Sequence, residues 1–136
     1  MNPRVARVWH VPALVRILRA HHGADGVSDF WVILKVTARG WVRLIADCDG
    51  PAGFVMRNNE RLHALYVHPR AQGLGIGQAL LQDAQKAVGA IDLWVHQNNE
   101  RARRFYTRHG FAEKNRTGPG RRDILMVWPP ERRSMA

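Results

Sequence analysis

The sequence contains one cysteine, Cys48, among 136 residues. No intramolecular disulfide is possible, and a cysteine-rich metal site is excluded; no metal is expected elsewhere. Cys48 ends the strand-like apolar run from Leu44, which predicts a buried filler rather than a nucleophile. Lysine is nearly as scarce: Lys35, Lys86 and Lys114 are the only ones, so arginine carries the positive charge. Acidic residues are few, 11 against 21 basic ones, which leaves a net charge of +10. Long hydrophobic runs are missing too. No stretch approaches the ~20 apolar residues of a membrane span. Met1 to His10 carries no apolar block of the signal-peptide kind. The expected location is the cytoplasm, without a membrane partner.

What is present is an ordinary core-forming composition, 46% apolar. No internal repeat, low-complexity tract or interdomain linker interrupts the chain. The expected organisation is one domain over residues 1–128 and a polar tail over 129–136. The surplus positive charge attracts polyanions, whether nucleic acid, an anionic membrane or a small multiphosphate ligand. Charge alone does not choose among them.

Val5 to Trp9 reads as a short strand. Pro12 suits the first turn of a helix that carries Val11, Leu14, Val15 and Leu18 on one face and stops at Gly23. A second helix is expected from Ser28 or Asp29, although Phe30 to Leu34 also has strand character. From Trp41 the period becomes two: Val42, Leu44 and Ala46 alternate with Arg43, Ile45 and Asp47. Asp49-Gly50 signals a hairpin turn, Pro51 to Arg57 the returning strand, Asn58 to Glu60 a second turn, and Leu62 to His68 a third strand. A helix over about 75–88 follows, with Ile76, Ala79, Leu80, Ala84, Ala87 and Val88 as its apolar face. Ile91, Leu93 and Val95 mark a strand. Asn99 to His109 reads as a helix closed by Gly110, and Phe111 to Lys114 and Arg122 to Trp128 as a last strand pair. Strands and helices in this order predict an α/β or α+β domain around a mixed sheet.

The chemistry concentrates in Val67-His68-Pro69-Arg70-Ala71-Gln72-Gly73-Leu74-Gly75-Ile76-Gly77-Gln78. Glycines at alternate positions leave one side of the loop bare, so its N–H groups can turn inward. The helix that follows adds its positive end. The result is an anion nest suited to a pyrophosphate, with Arg70 and Gln72 as further contacts. A Walker loop is ruled out because Gln78 follows Gly77 where Lys-Ser/Thr is required. A dinucleotide fingerprint is ruled out because Gly77 comes two residues after Gly75, not three.

A second segment, Asn99-x-x-Ala102-x-x-Phe105-Tyr106-x-x-x-Gly110-Phe111, follows the intervening strand. With both segments in this order, the chain resembles the GNAT superfamily of N-acetyltransferases. Its cofactor motif is similar to Gln72 to Gly77 after Val67-x-Pro69. The resemblance covers about residues 41–128; the first 40 match only in element order. It implies a mostly antiparallel sheet flanked by about four helices, whose two central strands, at 61–68 and 91–96, splay apart. It also implies acetyl-CoA as cofactor. Leu65, Tyr66 and Val67 would offer a strand edge to the pantetheine arm. Gln72, Gly73, Leu74, Gly75, Ile76, Gly77 and Gln78 would hold the pyrophosphate. Asn99 would contact the cofactor at its helix start, and Arg103 and Arg104 would favour the 3′-phosphate.

Acetyl transfer to an amine needs a base, a polarised carbonyl and an acid for the leaving sulfur. Tyr106 is the candidate acid by family likeness, and it also fits the apolar helix face as a core residue. Glu60 and His63, beside the strand ending at Val67, are candidate bases. Asp25, Asp29, Asp47 and Asp49, with Trp31 and Trp41, are candidates for receiving a cationic acceptor, a small-molecule or peptide amine. The loop over 116–122 would contribute as well. Such folds commonly form homodimers. Two other readings stand beside the enzyme: a non-catalytic acyl-CoA sensor, and a basic nucleic-acid-binding module. The latter is disfavoured because no interleaved basic and aromatic motif stands out.

Overall fold

The computed structural model describes residues 2–22, 33–116 and 123–130. Its strands are β1 (Arg4–Val5), β2 (Val42–Asp47), β3 (Gly50–Asn58), β4 (Arg61–Val67), β5 (Ile91–His96), β6 (Ala112–Arg116) and β7 (Asp123–Trp128). Helix α1 is Val11–His22, α2 is described over 33–38, α3 is Ile76–Val88 and α4 is Glu100–Arg108. The seven strands form one sheet in the order β1-β2-β3-β4-β5-β7-β6. Every neighbouring pair is antiparallel except β4 and β5.

Both faces of the sheet are covered, which is why successive strand residues are buried. Leu44 packs with Leu14, Ile17, Ile33 and Phe54 under α1 and α2. Ile45 turns to the other face and joins Leu80, Leu93, Tyr106 and Ile124 under α3 and α4. Gly53 makes the second layer possible. A Cβ there would stand 2.9 Å from Ile76 Cγ2 and 3.0 Å from the Tyr66 carbonyl oxygen. Its bareness lets α3 lie close on β3.

Four sequence expectations change. The first strand is only Arg4–Val5, because residues 8–10 coil into a turn of 3-10 helix that feeds α1. Cys48 is exposed rather than buried. The hairpin turn falls on Cys48 and Asp49, one residue earlier than the Asp-Gly signal suggests, and Gly50 opens β3 with φ 104°. The Asp47 carboxylate accepts from the Asp49 N–H at 2.9 Å and fixes that turn. On α3, Leu81 is buried and Ala87 is exposed, while Val88 still packs half-buried against the core. Over 33–38 the chain is helical, so the strand alternative fails for Ile33 and Leu34. Gly23, Ser28, Asp29 and Phe30 lie outside the described residues. No helix among the described residues is long and apolar enough to cross a membrane.

Candidate functional site

β4 and β5 run parallel but pair only at Arg61↔Asp92 and Leu62↔Leu93. The β3 register steps from Arg57↔Leu62 to Met56↔Ala64, leaving His63 as the extra residue of a β-bulge. A bulge bends its strand and sharpens the local twist. Here it falls where the β4–β5 ladder stops, so past Leu62 the two strands diverge. The closed end is fastened by the Arg61–Asp92 ion pair and by the Asp92 N–H, which donates to the Glu60 carbonyl at 2.8 Å.

The open end leads into the glycine loop. Val67 is followed by a 3-10 turn over Pro69–Ala71, whose start is capped by His68 Nδ1 accepting the Arg70 N–H at 3.1 Å. Gly73 and Gly75 then adopt φ 82° and 81°, a left-handed backbone that residues with a Cβ rarely take. A Cβ at either position would meet nothing within 4 Å, so the loop faces open space there. The first helical amide bond is Ala79 N–H to the Gly75 carbonyl, 3.0 Å. Among the described residues, the amides of 73–78 donate to no backbone carbonyl. Unsatisfied helix-start N–H groups beside a bare loop bind anions.

α4 closes over this loop. A Cβ at Gly77 would lie 3.6 Å from both the Phe105 ring and Val67 Cγ2. Gln72 Nε2 donates to the Val67 carbonyl at 3.3 Å, and Arg101 Nη2 donates to Gln72 Oε1 at 3.4 Å. Arg101, which no motif position marks, therefore brings a guanidinium to the nest. Asn99 caps α4, its Oδ1 accepting the Ala102 N–H at 3.2 Å. At the other end, Gly110 N–H bonds the Thr107 carbonyl and Phe111 N–H the Tyr106 carbonyl, both at 3.1 Å. This is a Schellman ending, and its hydrophobic contact is the Tyr106–Phe111 ring pair at 5.4 Å. The spacing of Tyr106, Gly110 and Phe111 is thus one device: the turn that ends α4 fixes the Tyr106 ring.

Tyr106 is 8% exposed, and its hydroxyl makes no hydrogen bond among the described residues. Burial pushes its pKa well above the ordinary tyrosine value, and the neighbouring Tyr66 phenol adds to the shift. Tyr66 packs with the α1/α2 cluster and Tyr106 with the α3/α4 cluster. The two phenols sense each other across the opening between β4 and β5.

Other expected site residues take other places. The Ile76 side chain is 4% exposed core, so only its amide faces the loop. Leu74 is 61% exposed and Gln78 is exposed. Leu65 and Val67 are half-buried against the α3/α4 core. Arg70 turns away from the loop to the β2–β3 hairpin, where it bonds the Asp47 carboxylate and the Pro51 carbonyl. Arg103 is held by Glu113 at 2.8 Å, and Arg104 stands 3.8 Å from Glu100. Glu60 is an exposed turn residue, apart from the bulge. His63 stacks nearly parallel on Trp41, centroids 6.2 Å apart, and Arg39 lies 5.4 Å from the same ring. Trp41 is thereby already engaged by two cationic or aromatic groups. Burial, reinforced by Arg61 and opposed by Asp92, holds His63 below the ordinary histidine pKa. Asp25, Asp29, Trp31 and residues 117–122 lie outside the described residues.

The comparisons agree with this geometry. Residues 26–113 match the family model for the acetyltransferase (GNAT) domain. The chain is 32% identical over 77 residues to the peptidyl-lysine N-acetyltransferase YjaB of Salmonella typhimurium, covering 57% of this chain and 52% of that protein. It thus spans about half the length of the curated relatives it first matches. A GNAT-family acetyltransferase from Bacillus cereus superposes with a TM-score of 0.81 at 18% identity, covering 93% of this chain and 94% of that one. PaiA N-acetyltransferase from Thermoplasma acidophilum, solved with coenzyme A, gives 0.75 at 19%, over 93% and 96%. A bulged, splayed strand pair, a glycine nest at its open end and a matching domain model lead to one conclusion: the chain belongs to the GNAT family of acetyltransferase domains.

Proposed function

We propose that this chain, as one domain over residues 1–128 with a polar tail, is an acetyl-CoA-dependent N-acetyltransferase that acts on a primary amine. The observation that carries the reading is the run of amides over 73–78, without backbone partners among the described residues, at the open end of the β4–β5 splay. Those amides and the positive end of α3 suit a pyrophosphate. Arg101 adds a charge from the α4 side. Leu65, Tyr66 and Val67 line the path from the nest back toward the bulge. At ~3.3 Å per residue, His63 lies about 13 Å along β4 from Val67, a reach suited to a pantetheine arm. Acetyl-CoA, when bound, would supply an activated thioester and a sulfur leaving group.

The chain's own residues then divide the proton work. Tyr106, which like any phenol is protonated at pH 7, holds a proton for the departing sulfur. His63 is neutral at pH 7 and can take the proton that an ammonium must lose before it attacks. Glu60, acting through water, is the second candidate base. Attack is direct, with donor and acceptor bound together.

The experiment is a panel of amines assayed by thiol release: peptide lysines, peptide N-termini, polyamines and aminoglycosides. Peptide lysine comes first because YjaB carries that activity in its name. Turnover on one class establishes the enzyme. Coenzyme A binding without turnover on any class would favour the acyl-CoA sensor.

A further inference from the structure

Residues 4–10 form no recognised nucleic-acid-binding motif, yet they bring Arg4, Arg7, Trp9 and His10 within seven positions. The fold draws them round a concavity of ≈ 470 Å³ lined by Arg4, Val5, Arg7, Trp9 and His10. Trp9 is 72% exposed, unusual for the largest apolar side chain unless something covers it. Its ring lies 5.7 Å from that of His10. No carboxylate pairs with Arg4 or Arg7 among the described residues. Arg4 and Arg7 line the same hollow as His10, and their charges, together with burial, lower its pKa.

The segment is held in place from behind. Ala6 N–H donates to the Val42 carbonyl at 2.8 Å, and Arg7 N–H to His10 Nδ1 at 2.9 Å. Arg43 bonds the Pro3 carbonyl at 3.0 Å while its other nitrogen grips Asp83 at 2.6 Å. α1 starts at Val11, so its positive end adds to the same field. β1 is the outermost strand, three strand spacings or about 14 Å from β4. No residue that lines the concavity is among those at the β4–β5 opening or in the glycine loop.

We propose that this edge of the sheet is a second binding site, for single-stranded nucleic acid, in which Trp9 stacks on a base while Arg4 and Arg7 hold the flanking phosphates. An aromatic face flanked by guanidinium groups is the pairing that single strands require. A membrane would favour a protruding apolar tip, whereas these side chains line a hollow. A second copy of this chain would set Arg4 and Arg7 against their own like charges. The charge of the whole chain, +10, favours the same polyanion.

The test is fluorescence anisotropy of a labelled twelve-nucleotide RNA of mixed sequence, titrated with the full chain, with and without excess coenzyme A. The expected result is binding that coenzyme A leaves unchanged, that Trp9→Ala weakens about tenfold, and that Trp9→Phe largely keeps. Arg4→Gln with Arg7→Gln should weaken binding and flatten the slope of log affinity on log salt by about 1.4. Circular dichroism checks that each variant is folded, as the exposure of Trp9 leads one to expect. The proposal is overturned by absence of RNA binding, by displacement of the RNA with coenzyme A, or by variants that bind like the parent. It is also overturned if Trp9→Ala abolishes binding to phosphatidylserine vesicles, or dimerisation, while leaving RNA affinity intact.

Discussion

Tyr106 is a core residue that the proposed mechanism also makes the acid. Its ring is locked against Phe111 by the turn that ends α4, and burial penalises its phenolate. Tyr106→Phe keeps the ring and removes only the acid. Turnover should fall by about 10²–10⁴, with coenzyme A affinity nearly unchanged, in paired kinetics and calorimetry. The raised pKa also has a stability consequence. Neutral Tyr106 contributes fully below the unfolded value near 10, and the contribution is lost as pH rises through the folded value. His63 runs the other way. Its folded pKa lies below the ordinary histidine value of 6.5. Its neutral form stabilises the fold above 6.5, and this is lost as pH falls through the folded pKa. Proton NMR should give His63 a midpoint below 6.5, and His63→Gln should remove that group's share of the acid limb of the rate profile. A midpoint at or above 6.5 would contradict the assigned environment. At Gly75, the left-handed backbone burdens any replacement equally, so charge can be isolated. Gly75→Glu should abolish measurable coenzyme A binding, while Gly75→Gln weakens it less, as read by calorimetry on folded protein.

At the scale of elements, the layout around the cleft depends on two small features of β3 and β4. Gly53 admits α3, and the His63 bulge ends the ladder to β5. Gly53→Ala pushes a methyl against Ile76 and the Tyr66 carbonyl and should cost about 1–3 kcal/mol in chemical denaturation. The strands from β2 to β5, α3 and α4 were legible because their apolar periods are regular and their boundaries carry Pro69, Asn99 or Gly110. The bulge was not legible: Leu62, Leu65 and Val67 face one side, and alternation alone does not reveal the extra residue between 62 and 64. Cys48 was misplaced because a local Asp47 side-chain bond, invisible to hydrophobic patterning, moved the turn by one residue. Val5 to Trp9 looked like a strand by composition, yet from Val8 the chain coils to enter α1.

Across the whole molecule, the glycine motif and the α4 signature were legible in sequence because both encode backbone geometry rather than surface identity, and the glycine loop falls at the open end of the β4–β5 splay. Side-chain destinations were less legible. Arg70 and Arg103 sit near the motif in sequence, yet carboxylates of the hairpin and β6 claim them. Arg101 reaches the nest because α4 folds across the loop, a tertiary fact with no local mark. The charge of the chain is thus partly neutralised by internal pairs and partly concentrated at the loop, on α4 and along the β1 edge. The central claim concerns the backbone, and the direct measurement is an amide NMR titration of the isotope-labelled chain with coenzyme A. The account predicts the largest shifts at the N–H groups of residues 73–78, with slower solvent exchange there on binding. Large shifts elsewhere with those amides unmoved would contradict it.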